Sequence, residues 1–548
     1  GQPSVVSAAE GQASAAETTQ EDNKEEGKEG DESQENQGNE NNGPDGTLPD
    51  TANLRLIFTS DIHGQVTTED YENGTIFTTG GLSRTATLIK EAREEVNGSN
   101  SMLFDLGDSL YDYTTDYIYN YDSSAKQPVY NAMSLLGYDA VTLGNHDFDY
   151  TLPYIQEQLK ASGLDDKVVL SNVKDVNTNK NIWAENKIIE KSVVTDSGRP
   201  ISVKVGLIGE TVPTLSKKRT NYTGILQTED IVENVKAEAA ILKEKGADLV
   251  VVLAHSGIGK ENPGFKDSNT GYALTKVDGV DAVLCGHYHT DFPSKDVSIY
   301  DNLPGVDLGT GLVNGKNLVQ VKHRGASIGI ADLRISDADN KISIVDRKTS
   351  LRNVDASTEV DAAINNCMGD WAKTFLLDCT EILCELDDDT ELQNYFGTQE
   401  DTDLIQLLNH IKISYGIGYI NNEEEAYKDY PVVAASSYLR YGSGDGNDFI
   451  EITDEFKRSN MYDLVNYKTG LYLYEMTGAQ IREWLEWSVS CYETAGENPL
   501  SSKEFPAYAK EKPLQYALQE AYLNDWKNFY VFDGIEYTVD TKNAPRYD

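Results

Sequence analysis

The chain holds only seven histidines, and five of them sit in short polar motifs that close apolar runs: His63, His146, His255, His287 and His289. The motifs are SDIHG with Asp61 and His63, LGDS with Asp108, GNHDFD with Asn145, His146 and Asp149, LAHSG with His255, and CGHYHT with His287 and His289. A mixed His, Asp and Asn set without thiolate suits borderline-hard divalent cations such as Zn, Mn, Fe or Co. Asp61 and His63 flank Ile62, and His287 and His289 flank Tyr288. In an extended strand each pair points one way and grips one ion from a single face. A bridging carboxylate such as Asp108 would then hold two cations about 3.5–4 Å apart, the spacing of two-metal hydrolysis. A lone histidine is more often a hydrogen-bonded core residue, and a lone strand-end aspartate a cap or turn former. Five such motifs, each closing an apolar strand, leave coincidence little room.

The elements that must carry these residues follow from periodicity. LRLIFTSD (54–61), SMLFDLGD (101–108), YDAVTLGNHDFDY (138–150), KVVLSNV (167–173), ISVKVGLIGE (201–210), ADLVVVLAHSG (247–257) and VDAVLCGHYH (280–289) read as buried strands breaking into polar residues. GGLSRTATLIKEAREEV (80–96) and AMSLLG (132–137) have helical spacing. NLVQVKHRGASIGIADLRIS (317–336) and KISIVDRK (341–348) alternate as antiparallel strands. This is an α/β alternation, and in open α/β sheets the ligand crevice lies beyond the strand C-termini, where the motifs fall. LRNVDASTEVDAAINNCMGDWAKTF (351–375) reads as a linker helix. TDLIQLLNHIKISYG (402–416), AQIREWLEWSVSCYE (479–493) and a late strand pair, NFYVFDGIEYTVD (528–540), mark a second domain. The expected layout is a disordered acidic leader (1–50), a first domain (51–350), the linker (351–375) and a C-terminal domain (376–548).

Charge narrows the function further. The 548 residues carry 47 Lys and Arg against 91 Asp and Glu, a formal net charge of -44. The first fifty residues hold 13 of the acids and two lysines, so the acidity belongs to the whole chain. Such a balance excludes a nucleic-acid duplex binder, which needs a basic face. A small anion would need local positive charge, and two dications in one cleft supply it. No run of about 18 apolar residues suggests a transmembrane helix. The N-terminus shows no basic region followed by an apolar one, so a signal peptide is expected either not to exist or to have been removed. The five cysteines are scattered, with no CxxC pair and no disulfide framework.

The ordered motifs SDIHG, GD, GNHDFD, AHSG and GHYH resemble the calcineurin-like metallophosphoesterases, in the 5′-nucleotidase branch where a C-terminal nucleotide-binding domain follows. The resemblance spans about residues 53–548. It implies an N-terminal four-layer α/β/β/α domain plus a C-terminal α/β nucleotide-binding domain. It implies one ion on Asp61, His63, Asp108 and His289, and a second on Asp108, Asn145, His255 and His287. The native ions would be Mn, Zn, Fe, Co or Mg. His146 would not be a ligand but would approach the phosphate, steadied by Asp149. PVVAASSYLRYGSGDGNDF (431–449), NMYDLVNYKTGLYLYEMTGAQIREWLEWSV (460–489) and NFYVFDGIEYTVDTKNAPRYD (528–548) look most like the 2′,3′-cyclic-nucleotide 2′-phosphodiesterase/3′-nucleotidases. In that group two aromatic rings stack on the base. The first maps to Tyr467 and the second to Tyr530 or Phe529, although the chain's 32 tyrosines mean that most are ordinary packing or surface residues. Arg440 is the candidate for a ribose or phosphate contact. The substrate is expected to be a mononucleotide or cyclic nucleotide, the protein a monomer, and its location extracytoplasmic, secreted or attached to the cell wall. Alternatives are a 5′-nucleotidase or nucleotide-sugar hydrolase and, from another class, an inactive surface-displayed binding protein.

Overall fold

A computed structural model describes residues 50–547, apart from 72–74, 216–221, 295–302, 395–396, 398–400, 438–449, 466–470 and 493–528. Two sheets form the centre of the first domain. The first contains β1 (Thr51–Thr59), β2 (Ser101–Asp105), β3 (Ala140–Val141) and two strands from late in the sequence. The second begins with β4 (Asn186–Val194), β5 (Pro200–Glu210), β6 (Leu249–Ala254) and β7 (Ala282–Cys285). It continues through β8 (Val306–Asp307), β9 (Leu312–Val313) and β10 (Lys316–Gln320). The chain then returns to the first sheet as β11 (Ser327–Ser336) and β12 (Ser343–Asn353). Strand order is β12-β11-β1-β2-β3 in one sheet and β8-β9-β10-β7-β6-β5-β4 in the other.

Each sheet has a parallel centre. β1, β2 and β3 run parallel, as do β5, β6, β7 and β10. The outer pairings β1–β11, β11–β12 and β4–β5 are antiparallel. The side-chain period of two explains the layering. Leu54, Leu56 and Phe58 of β1 point into the core between the sheets, with Phe104, Val205, Leu253 and Leu333. Ile57 of the same strand points outward against Leu82, Ile89, Met133 and Leu159. These last residues come from α1 (Leu82–Glu94), α3 (Pro128–Leu136) and α4 (Leu152–Ala161), with α2 (Tyr113–Tyr121) beside them. On the far side, α5 (Ile231–Glu244) lays Val235, Ala239 and Leu242 on Ile208, Val250 and Val252. The result is the expected α/β/β/α stack. All six residues of β6, LVVVLA, are buried, as a strand covered on both faces requires.

Local chemistry starts and stops the helices around the cleft. Asp112 caps α2 by accepting from Thr115 N–H at 2.9 Å. Pro128 opens α3, and Gly137 ends it at φ 69°.

Four local expectations are corrected. Residues 351–375 do not form one helix: β12 runs to Asn353, a short helix spans Ala362–Asn365, and α6 covers Trp371–Cys379. Ile364, Met368, Phe375 and Cys379 pack into the outer core of the first sheet, so this connector is part of that domain's packing. KVVLSNV makes isolated bridges, Val141 to Val168 and Val169 to Ala184, and joins a strand only from Val173. In the C-terminal domain α7 (Asp403–Glu423) and α8 (Gly478–Ser488) appear as expected. The late strand pair does not: β14 (Val531–Asp533) pairs instead with β13 (Ala434–Ser436). The fourth correction is β4, NKIIEKSVV, a nine-residue edge strand that the periodicity did not single out. Among the described residues no helix is long and apolar enough to cross a membrane.

Candidate metal centre

All seven candidate ligands lie just beyond strand C-termini. β1 ends at Thr59 and delivers Asp61 and His63. β2 delivers Asp108, β3 delivers Asn145, β6 delivers His255, and β7 delivers His287 and His289. The residues do not continue the strands. Asp61, His63, Asp108, His287 and His289 have φ of 55°, 48°, 53°, 70° and 61°. The alternating extended geometry expected for the two pairs is therefore replaced by left-handed turns, a conformation that costs non-glycine residues about 1–3 kcal/mol each and clusters at functional sites. These turns interlock: Asp61 N–H donates to Gly107 O at 2.9 Å, His63 N–H to Asp108 O at 2.9 Å, and Gly64 N–H to Ser109 O at 2.8 Å.

The turns sort the side chains into two groups, Asp61 with His63 and His289, and Asp108 with His255 and His287. Within each group the candidate ligand atoms lie within 4.8 Å of one another. His287 and His289 thus part company, contrary to the single-face expectation. Asp108 Oδ2 lies 3.2 Å from His255 Nε2 and 4.0 Å from His63 Nε2, between the groups. Asn145 Oδ1 is 3.2 Å from the same His255 nitrogen.

A divalent cation fits this donor set. His255 Nδ1 donates to Leu106 O at 2.9 Å. A neutral imidazole so bonded presents a lone pair at Nε2, facing Asn145 Oδ1 and Asp108 Oδ2. Asp108 Oδ2 is buried and has no hydrogen-bond donor among the described residues. Three acceptors facing one another are repulsive unless a cation or a proton lies among them. Without a metal the proton takes that place. Burial alone would lower the His255 pKa, but the Asp108 and Asp61 charges outweigh it and push it up to about 10. Burial likewise works against charge on Asp61 and Asp108, yet His255 and the neighbouring histidines hold both well below the usual carboxylate range. Burial dominates at His63 and His287 and lowers each to about 4, leaving neutral imidazoles. His63 Nδ1 meets Leu110 O at 3.2 Å, so its Nε2 also turns toward the centre. Two glycines make room: a Cβ at Gly144 would lie 2.2 Å from Asp108 Oδ1, and one at Gly286 would lie 2.9 Å from Asp61 Oδ2.

His146 stands beside the centre on the turn after β3. Its backbone N–H donates to Asp108 Oδ1 at 2.7 Å, and its Nδ1 donates to Asp149 Oδ2 at 2.7 Å. The expected His146–Asp149 pair is therefore formed in space, both residues being half-buried.

Three contributors escaped the sequence reading. Asp147 is buried and accepts from Asp108 N–H at 2.8 Å, Leu110 N–H at 3.1 Å and Gly144 N–H at 2.8 Å, tying two motif loops together. Burial and the Asp108 charge raise it to about 7. His323 stacks on His289 with ring centroids 4.5 Å apart, and Tyr111 stacks on His146 at 4.1 Å. The GNHD spacing was a signal for Asp147; nothing local marked the other two.

Of the substrate-binding candidates, Tyr467 and Arg440 lie outside the described residues. Phe529 is buried in the C-terminal core with Leu404, Ile405 and Ile452, edge-on to Tyr492. That packing corrects its candidacy as a base-stacking ring. Tyr530 is half-buried, with Trp484 edge-on at 5.3 Å.

Comparison with known proteins agrees with this architecture. Residues 54–291 match the family model described as calcineurin-like phosphoesterase, and residues 399–547 match that of the 5′-nucleotidase C-terminal domain. A 2′,3′-cyclic-nucleotide 2′-phosphodiesterase/3′-nucleotidase from Salmonella typhimurium is 29% identical over 512 residues, covering 91% of this chain and 75% of the relative. The crystal structure of calcineurin-like phosphoesterase YfkN from Bacillus subtilis is 31% identical, with a TM-score of 0.56, and covers 60% of this chain and 98% of that one. A putative 5′-nucleotidase from Staphylococcus aureus is 18% identical with a TM-score of 0.62, covering 90% of this chain and 85% of that one, a likeness of fold. The chain belongs to the calcineurin-like phosphoesterase family, in the branch that carries a 5′-nucleotidase C-terminal domain after the phosphoesterase domain.

Proposed function

We propose that this chain is a phosphoric ester hydrolase that depends on two divalent cations, opens 2′,3′-cyclic nucleotides to 3′-nucleotides and dephosphorylates the 3′-nucleotides to nucleosides. What carries the reading is the convergence of two His/Asp groups on Asp108, an unsatisfied buried carboxylate oxygen, next to the His146–Asp149 pair. Asp61, His63, Asp108 and His289 would hold one ion, and Asp108, Asn145, His255 and His287 the other. Two divalent cations held there would supply acidification of water for attack on phosphorus and neutralisation of the phosphoryl oxygens. Asp149, accepting from Nδ1, fixes the His146 tautomer. Proton exchange with the substrate then falls to Nε2, which donates to the leaving oxygen of the ester. The backbone bond from His146 to Asp108 keeps acid and cations in one frame.

The substrate assignment follows the similarity to the Salmonella enzyme over most of the chain. Tyr467 and Tyr530 are the residues assigned to base stacking, and Arg440 the one assigned to the ribose or phosphate. The phosphoesterase domain covers 51–350 together with the connector that packs on it through Cys379, and the nucleotide-binding domain takes the remainder to 548. The net charge of -44 disfavours polymeric nucleic acid and leaves mononucleotides as substrates of a monomeric enzyme. The acidic leader fits an extracytoplasmic enzyme tethered at the cell wall. Chelation and metal reconstitution, followed by phosphate release from 2′,3′-cyclic AMP (with a 3′-phosphatase step), 3′-AMP and 5′-AMP, tests the reading. Metal-dependent turnover of the first two supports it; faster release from 5′-AMP moves the enzyme to the 5′-nucleotidases, and no metal-dependent release leaves the binding-protein alternative.

A further inference from the structure

Tyr111 is the one residue of the loop between Asp108 and α2 whose side chain lies flat against the proposed acid. Its ring is stacked on His146 with centroids 4.1 Å apart and planes 17° from parallel. Its backbone sits at φ 82°, a region that a side chain with a Cβ enters only at a cost. The loop is locked there: the N–H groups of Tyr111 and Asp112 both donate to Thr115 Oγ1 at 2.9 Å, and that hydroxyl also meets Tyr150 OH at 2.8 Å. Tyr111 is half-buried and belongs to none of the apolar cores among the described residues.

We propose that Tyr111 is a positioning residue for the hydrolysis, a platform whose ring face sets the plane of the His146 imidazole; this rests on the acid role given to His146 above. The physical need is specific. The terminal torsion of a histidine is broad and roughly two-fold, so the contacts on the faces and edges of the ring decide its tilt. Asp149 holds one edge and Tyr111 one face. Together they fix the direction in which Nε2 points, and a misdirected acid loses rate steeply. A stacked aromatic pair is worth a three- to tenfold change in population of the aligned rotamer at about the usual aromatic coupling.

The test uses the metal-loaded full chain with 2′,3′-cyclic AMP and three variants. Tyr111→Leu lowers kcat by about three- to tenfold with KM and metal content unchanged, because alignment and not binding is lost. Tyr111→Phe, which keeps the ring face and drops the hydroxyl, recovers most of that loss. In the NMR spectrum the His146 Cε1–H resonance moves downfield in Tyr111→Leu and stays in place in Tyr111→Phe, since the ring current is removed only in the first. An unchanged kcat in Tyr111→Leu overturns the inference, as does a Tyr111→Phe enzyme as slow as Tyr111→Leu, or an effect confined to KM. His146→Ala separates this failure from that of the underlying reading: if it keeps full kcat, the acid role itself is wrong, and the inference falls with it.

Discussion

Loading the metal-free protein with divalent cations should expel a proton from His255, and the size of that effect follows from the site. In the metal-free fold the Asp108 and Asp61 charges overcome burial and push His255 from 6.5 up to about 10. It is therefore protonated at pH 8, whereas His63 and His287, lowered to about 4, are neutral and Asp61 and Asp108, held low, are ionised. Among the ligands whose pKa the site displaces, only His255 has a proton to surrender. Metal affinity should rise about tenfold per pH unit between roughly pH 5 and 9, with about one proton released per second-group ion bound. Stability follows the same linkage. The raised His255 contributes stability to the metal-free fold below its unfolded value of 6.5, and that contribution is lost as pH climbs through about 10. The lowered Asp61 and Asp108 contribute above 3.8 and lose their contribution as pH falls through their folded values. The thermal stabilisation by metal should thus widen from pH 7 to 9.5. Calorimetric titration of chelated protein in two buffers of different ionisation enthalpy counts the protons. Binding that is independent of pH, with no proton released, refutes the reasoning.

Two further perturbations read the same centre. Asp108→Ala should remove both ions and all metal-dependent phosphate release while the circular dichroism spectrum persists, because Asp108 lies between the two groups; retention of one tightly bound ion by elemental analysis would contradict its bridging position. Gly144→Ala should weaken metal binding at least tenfold, since the new Cβ would lie 2.2 Å from Asp108 Oδ1 and 2.5 Å from the His255 ring and must displace them. Wild-type affinity in that variant would show that the centre tolerates the shift.

The sequence made the ligand types legible because each motif closes a strand, and strand ends of parallel sheets meet at one edge. It also made the α/β alternation legible, through continuous apolar runs such as LVVVLA, while the two-sheet stack followed only from the family resemblance. The geometry inside the motifs was not legible. Alternation about Ile62 and Tyr288 suggests extended strands, but the backbone turns left-handed at Asp61, His63, His287 and His289, and loops from other strands accept the N–H groups of Asp61, His63 and His287. Those partners lie far away in sequence, so no local pattern reports them. The same holds for Asp147, whose importance comes from the three N–H groups it gathers, and for Tyr111 and His323, which matter through the rings they face. β4 escaped notice because its Lys and Glu residues belong to a sheet edge open to solvent. In the C-terminal domain, aromatic-rich segments near the motifs do not separate packing from stacking: Phe529 and Tyr530 are adjacent, and only burial tells them apart.

The central claim is that two cations sit side by side on these seven residues. Anomalous diffraction from crystals of the manganese-loaded protein tests it directly. The expected map has two peaks about 3.5–4 Å apart, one against Asp61, His63 and His289 and the other against Asn145, His255 and His287, with Asp108 touching both. A single peak, or peaks elsewhere with these side chains bonded only to one another, would contradict the account.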